Sequence, residues 1–336
     1  MSTTFAILGA GAWGTAIAVL LAQNERHRVR LWCAHAESAA TLIARRENAQ
    51  LLPGVPITES VQITAEAGQV VADADLLITA VPTVYMRTTL APLAGTVSPT
   101  VPVLSLAKGV ENETFLRPTE IIAELWKTER LAVLSGPSHA EEVSRGLPAS
   151  LVAASVDSEL AQSVQRWFSG ERFRVYTNQD VVGVELAGAL KNVLAIAAGI
   201  SDGLGFGDNA KAALLTRGLV EMARFGVALG ADQATFVGLA GLGDLITTCF
   251  SPHGRNRRVG QRLAAGESLD AIVKSTHMVA EGVYTTRSVH HRAKNMGTEM
   301  PIVTEVYRVL YENKAPLEAV SDLMLRRPIQ ERAGTP

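Results

Sequence analysis

An α/β half followed by an all-α half is the architecture this 336-residue chain predicts, and three observations carry it. Short apolar runs recur through the first half with helix-like stretches between them. The motif Gly9-Ala10-Gly11-Ala12-Trp13-Gly14 joins the first run to the first helical stretch. Past Asn178 the short runs give way to long alanine-rich ones.

Residues 4–8 form the first apolar run, and residues 15–23 continue at helical spacing. Further runs fall at residues 28–33, 76–81, 101–106, 131–135 and 150–154, with helical stretches such as 37–48 and 119–127 between them. Apolar runs this short read as strands buried on both faces of a parallel sheet. Their alternation with helices predicts a doubly wound, Rossmann-type domain. In the second half, residues 181–200, 211–229, 268–274, 283–295 and 303–311 read as helices, with Pro301 and Pro316 at helix starts. The expected division is 1–182 and 183–330, the boundary falling within 178–186, with a loose tail at 331–336.

Composition excludes several classes of function. Lys plus Arg total 31 against 33 for Asp plus Glu, which gives no global attraction to nucleic acid or anionic membrane. Two cysteines, Cys33 and Cys249, provide no disulfide framework and suit a reducing, cytoplasmic compartment. No metal site is expected. Residues 5–22 carry no charge, as a membrane span or signal peptide would. No Lys or Arg precedes them, however, and the glycine motif lies inside, so the segment reads as strand, turn and buried helix.

The motif has physical meaning in that context. The first glycine permits the turn, the second lets backbone approach a pyrophosphate, and the third lets helix and strand pack closely. The helix N-terminus then faces the anion. A carboxylate for the cofactor ribose is absent: the second strand ends Leu31-Trp32-Cys33-Ala34-His35, with no acid before Glu37. Without that negative charge, and with His35 beside it, a 2′-phosphate is tolerated, so NADPH is expected, with NADH also accepted. Turn chemistry that can reach a ligand follows later strands at Val81-Pro82, Ala107-Lys108-Gly109 and Ser135-Gly136-Pro137-Ser138. Lys108 there is placed to meet an anion, although a solvated loop lysine would look the same.

Lys191 is the one charge between Glu185 and Asp202 in an otherwise apolar helical stretch. A buried lysine is paired or functional, and desolvation lowers its pKa toward the range useful for proton transfer. The competing reading is a lysine that snorkels to water from a helix edge. The glycine- and Asx-rich run that follows, to Asp208-Asn209, favours a site.

Around that lysine, Gly188-Ala189-Leu190-Lys191-Asn192 is followed by Gly199-x-x-Asp202-Gly203-x-x-x-Gly207-x-Asn209. Gly11-Ala12-Trp13-Gly14-Thr15, Leu106-Ala107-Lys108-Gly109, Gly243-Asp244-Leu245 and Gly254-Arg255-Asn256-Arg257-Arg258 complete the pattern. With these blocks the chain closely resembles, over nearly its whole length, the bacterial-type NAD(P)-dependent glycerol-3-phosphate dehydrogenases. The resemblance implies hydride transfer between NAD(P)H and dihydroxyacetone phosphate to give sn-glycerol 3-phosphate for phospholipid synthesis. It implies a homodimer without a membrane span. Lys191 matches the proton acceptor. Lys108, Gly136, Ser138, Asn192, Asp244, Thr248, Gly254, Arg255 and Asn256 match substrate-site positions or suit them chemically. Gly9, Gly11, Ala12, Trp13, Gly14, His35, Lys108, Ala140, Arg255, Val279 and Glu281 match the cofactor side.

Arg255 is chemically apt, because a guanidinium fork engages two phosphate oxygens at once. Its bland reading is a solvated basic helix start. Three positions depart from the pattern. Gly254 stands where serine is frequent, Ala12 where serine is frequent, and His139 where another aromatic ring is usual. Cys249 reads as structural. The rival readings are a β-hydroxyacid dehydrogenase or ketopantoate-reductase-like enzyme, and a nicotinamide-sensing regulator that has lost catalysis. Retention of Lys191, Asp244 and Arg255 argues against the second, and the Arg255-Asn256 pair against the first.

Overall fold

The computed structural model describes residues 2–276, 279–328 and 330–331. It comprises two compact units, Met1–Ala107 with Pro118–Val181, and Lys108–Arg117 with Val182–Pro336. Most of the expected tail, from residue 332 onward, lies outside the described residues.

In the first unit the chain runs β1 (Thr3–Leu8), α1 (Ala12–Leu21), β2 (His27–Trp32), α2 (Ala36–Arg45), β3 (Val61–Thr64), α3 (Ala67–Val71), β4 (Leu76–Thr79) and α4 (Thr83–Leu90). It continues β5 (Val103–Ser105), α5 (Pro118–Trp126), β6 (Leu131–Ser135), α6 (Ala140–Val143), β7 (Ala149–Ala154), α7 (Ser158–Phe168) and β8 (Phe173–Asn178). The eight strands lie in the order β3-β2-β1-β4-β5-β6-β7-β8. Phe5, Ile7, Leu31, Ile78, Leu104 and Leu134 are among the apolar side chains of its core.

Because β1 pairs in parallel with both β2 and β4, strand order reverses there. Doubly wound sheets bind ligands beyond the carboxyl ends of strands at such a reversal. Gly9 begins the turn at that end of β1. The uncharged N-terminal segment is thus β1, turn and α1, as expected.

Two strands escaped the sequence reading, β3 and β8, and these are the two edges of the sheet. Their burial alternates along the chain instead of running continuously. An edge strand needs no unbroken apolar run, so it lacks the signal that marks the central strands. The pairing of β6 with β7 also departs from the expected parallel sheet, being antiparallel. The helix between them has only four residues, too few to carry the chain back along the sheet as a parallel crossover requires.

The second unit contains α8 (Val181–Gly203), α9 (Gly207–Ala228), α10 (Gln233–Val237), a π turn (Leu239–Gly243), α11 (Asp244–Phe250) and α12 (Arg255–Ala264). Then come α13 (Leu269–Lys274), α14 (Glu281–Met296), α15 (Pro301–Tyr311) and α16 (Pro316–Met324). Both prolines stand at helix starts, where the missing N–H is no loss. By length and composition α8 could cross a membrane, yet 89% of its apolar window is buried inside the protein. It is the core helix of this unit.

Against α8 lies α12 at backbone contact. A Cβ on Gly199 would stand 1.9 Å from the Arg257 carbonyl oxygen, and one on Gly260 would stand 2.0 Å from that of Ile196. Only glycine at both positions allows so close a crossing.

The short segment 108–117 departs from the expected division into consecutive halves, because it belongs to the second unit. Its attachments give the reason: Val110 is part of the helical core. Arg117 Nη1 lies 2.6 Å from Oε2 of the fully buried Glu185 on α8.

Candidate active site

The glycine turn shows what each residue is for. Gly9 holds φ +114°, and a Cβ there would press within 3.1 Å of the Ala80 backbone. A Cβ on Gly14 would meet the Gly9 carbonyl at 1.9 Å, so the third glycine sets the close approach of α1 to the turn. Around Gly11 the same test meets nothing within 4 Å, leaving that side of the turn open. Gly11 is the N-cap of α1 and makes no side-chain cap, so the first-turn N–H groups lack intrahelical partners and suit an anion.

Trp13 Nε1 is buried without a hydrogen-bond partner. Ala12 and Trp13 pack on the cluster that contains Ala140, which brings those three expected cofactor residues together. His35 holds the N-cap position of α2, just beyond β2, without a side-chain capping bond, and no acid precedes it there. After β6, Gly136 takes φ +126° and its carbonyl accepts a bond from Ser138 Oγ at 2.8 Å. His139 follows as the N-cap residue of α6. The donor set, the open side at Gly11 and the helix start fit a dinucleotide.

The second unit assembles a charged cluster from three elements. Lys191 on α8 is 6% exposed. Its Nζ lies 2.7 Å from Asp244 Oδ1 and 2.6 Å from Thr248 Oγ1. The other carboxylate oxygen of Asp244 accepts from Lys108 Nζ at 2.7 Å. Asp244 and Thr248 stand four residues apart on α11, so one helical face presents both to the lysine. Burial is the main cause that brings the Lys191 pKa down to about 8, and the Lys108 charge adds to it against the pull of Asp244. Burial of Asp244 works to raise its pKa, but the flanking Lys108 and Lys191 outweigh this and hold its carboxyl below the ordinary range. Cys249, next to Thr248, is driven by burial up to about 12 and is no thiolate nucleophile.

Asn192 and Asn256 bond to protein groups. Asn192 Nδ2 donates to the Lys108 carbonyl at 2.8 Å and to that of Gly188 at 3.2 Å. Asn256 Nδ2 donates to Asn192 Oδ1 at 2.9 Å, and Asn256 Oδ1 accepts the Gly282 N–H at 3.0 Å. This chain of amides ties α8, the Lys108 loop, α12 and the start of α14 together. It places Glu281, adjacent to Gly282, by the N-terminus of α12. Arg255 is exposed at that N-terminus, with Nη1 3.3 Å from the Val279 carbonyl. Gly254 caps α12 without a side chain, and a Cβ there would lie 2.7 Å from the Thr248 carbonyl oxygen. The glycine that departs from the family pattern therefore accompanies a close approach of α12 to the end of α11.

The sequence reading did not assign Asp202 a role. Its Oδ2 accepts from Lys211 Nζ at 2.9 Å and from Arg257 Nε at 2.5 Å, fixing α12 to α8 and α9. Asp202 is a fixed position of the glycine-rich signature, which was the available signal. Among the described residues no group of three or more His, Cys, Asp or Glu side chains is placed to hold a metal ion.

Both parts of the chain match known proteins. The pattern for the N-terminal part of NAD-dependent glycerol-3-phosphate dehydrogenase matches residues 4–161, and that for the C-terminal part matches residues 180–321. The chain belongs to the NAD-dependent glycerol-3-phosphate dehydrogenase family. It is 47% identical over 329 residues to a protein of Chlorobium phaeobacteroides (strain DSM 266 / SMG 266 / 2430) named glycerol-3-phosphate dehydrogenase [NAD(P)+], covering 97% of this chain and 98% of that one. A protein of the same name from Geobacillus thermodenitrificans (strain NG80-2) is 48% identical, with 97% and 95% covered. The crystal structure of glycerol-3-phosphate dehydrogenase from Coxiella burnetii superposes with a TM-score of 0.93 at 37% identity, covering 97% of this chain and 99% of that one. Membership of the family over both parts separates the chain from the β-hydroxyacid dehydrogenase and ketopantoate reductase readings.

Proposed function

We propose that this protein catalyses the reversible reduction of dihydroxyacetone phosphate to sn-glycerol 3-phosphate with NADH or NADPH. The observation that carries the reading is the buried Lys191–Asp244–Lys108 cluster with Thr248 at its side. The cofactor would be held by the Gly9–Gly14 turn, with Trp13, His35 and Ala140, and it supplies the hydride that the substrate C2 accepts. As C2 gains that hydride its carbonyl electron pair becomes an alkoxide, and the Lys191 ammonium gives it a proton. In the oxidising direction neutral Lys191 takes the hydroxyl proton. A lysine with a pKa of about 8 is mostly charged at neutral pH and can still give up its proton. Asp244 keeps the ammonium oriented, and its second oxygen holds Lys108.

Arg255 is the phosphate ligand in this reading, helped by the open N-terminus of α12. Asn192 and Asn256 act by holding Lys108, α12 and α14 in place. The missing acid at the end of β2 supports a preference for NADPH. A cytoplasmic homodimer that feeds phospholipid synthesis completes the proposal, resting on the family and on the two reduced cysteines.

The test is nicotinamide absorbance on adding dihydroxyacetone phosphate, with NADPH and NADH side by side. Rapid oxidation of either supports the reaction, and a higher kcat/KM with NADPH supports the cofactor preference. Folded protein that oxidises neither would overturn the proposal.

A further inference from the structure

The Ala10–Gly11 peptide of the glycine turn has no polar side chain next to it to hold it. Gly11 caps α1 without a side-chain bond, and the residues around it are glycine and alanine. The restraint comes from a distant residue, Asn48, which lies beyond α2 and is 6% exposed. Its Nδ2 donates to the Ala10 carbonyl at 3.0 Å and to Thr15 Oγ1 at 3.0 Å, so both amide hydrogens are committed to the turn and to α1. Asn48 is itself fixed. Its carbonyl accepts from Leu52 N at 2.7 Å, and its Oδ1 accepts from Leu51 N at 3.3 Å. Leu52 in turn packs in the cluster that Ala12 and Trp13 join.

From this geometry we infer that Asn48 is a positioning residue for the pyrophosphate of the nicotinamide cofactor. The inference rests on the reading of the Gly9–Gly14 turn as the cofactor site. The peptide group is planar and trans, so its C=O and N–H point in opposite directions. A carbonyl of Ala10 held on Asn48 therefore turns the Gly11 N–H away from Asn48. Without that anchor the Ala10–Gly11 peptide can rotate, because glycine tolerates either orientation. A flipped peptide would present a carbonyl oxygen where an anion needs a donor. Asn48 removes that freedom before the cofactor arrives, and preorganisation of this kind appears as affinity.

The test is direct binding, with Kd values for NADH and NADPH from nicotinamide fluorescence, alongside steady-state kinetics and Tm. For Asn48→Ala the expected result is a rise of at least about ten-fold in both Kd values. The kcat at saturating cofactor and the KM for dihydroxyacetone phosphate should stay within about two-fold. Asn48→Leu, of similar volume but without the amide, should show the same loss. Thr15→Val, which spares the Ala10 bond, should change Kd less than about three-fold. Folded Asn48→Ala with unchanged Kd, or a loss confined to kcat, would overturn the inference. So would failure of both Asn48 variants to fold, which would make the residue a requirement of folding alone. Wild-type protein that binds neither cofactor would instead defeat the reading of the turn.

Discussion

The buried ammonium of Lys191 is the residue on which the proposed chemistry turns. Lys191 has a carboxylate and a hydroxyl within hydrogen-bond distance. Lys191→Ala is expected to lower kcat by about 100- to 10,000-fold, the usual worth of a positioned proton donor, while cofactor Kd is unchanged. The pH dependence has a definite sign. In the proposed mechanism reduction needs the charged lysine, so its kcat should fall as pH rises through about 8, and the oxidising direction should rise over the same interval. A pH profile in both directions checks this, and a shared slope would contradict it. Arg255→Ala should raise KM for dihydroxyacetone phosphate by roughly 10- to 100-fold with a smaller change in kcat, since it removes the charge-assisted bonds to the phosphate that the proposal assigns to it.

Elements place these residues, and two glycines govern the critical pair of helices. Gly199→Ala would drive a methyl group into the Arg257 carbonyl at the crossing of α8 with α12. Forced separation should lower stability by about 1–3 kcal/mol. It should also raise substrate KM, because α12 begins at Arg255. Chemical unfolding together with kinetics reads both effects. A second device sits at the start of α15, where Glu221, 4% exposed, accepts the Ile302 N–H at 2.9 Å. Burial brings its pKa up to about 7, against the two backbone donors. A carboxyl raised in the folded state binds its proton more tightly than the unfolded chain does. Its stabilising contribution is therefore present below the unfolded value of 4.5 and lost as pH rises through about 7. Glu221→Gln should flatten that part of the dependence of Tm on pH, measured as the difference from wild type between pH 5 and 8.

At the scale of the whole molecule, each compact unit carries its own part of the proposed machinery. Segment 108–117 belongs to the helical unit because of what its side chains meet there. Arg117→Ala would withdraw a guanidinium from the fully buried Glu185. A loss of about 3–5 kcal/mol in urea unfolding is expected from a buried charge so treated. The proposed homodimer is checked by light scattering, where a monomer at assay concentrations would reject it.

Much of this was legible from the chain. The glycine turn, the central strands, the long helices and the lysine signature are local patterns, each set by a steric or burial rule acting over a few residues. Their periodicity and turn chemistry survive in one dimension. The edge strands β3 and β8 lacked an unbroken apolar run, and the direction of β7 leaves no trace in composition. The membership of segment 108–117, the bonds of Asn192 and Asn256 to protein groups, and the grip of Asn48 on Ala10 were equally hidden. Each joins residues tens of positions apart, and such pairings are chosen by packing in three dimensions. The sequence determined the fold class and the kinds of residue at the site. The tertiary structure decided which of them face a carboxylate, a backbone carbonyl or open space.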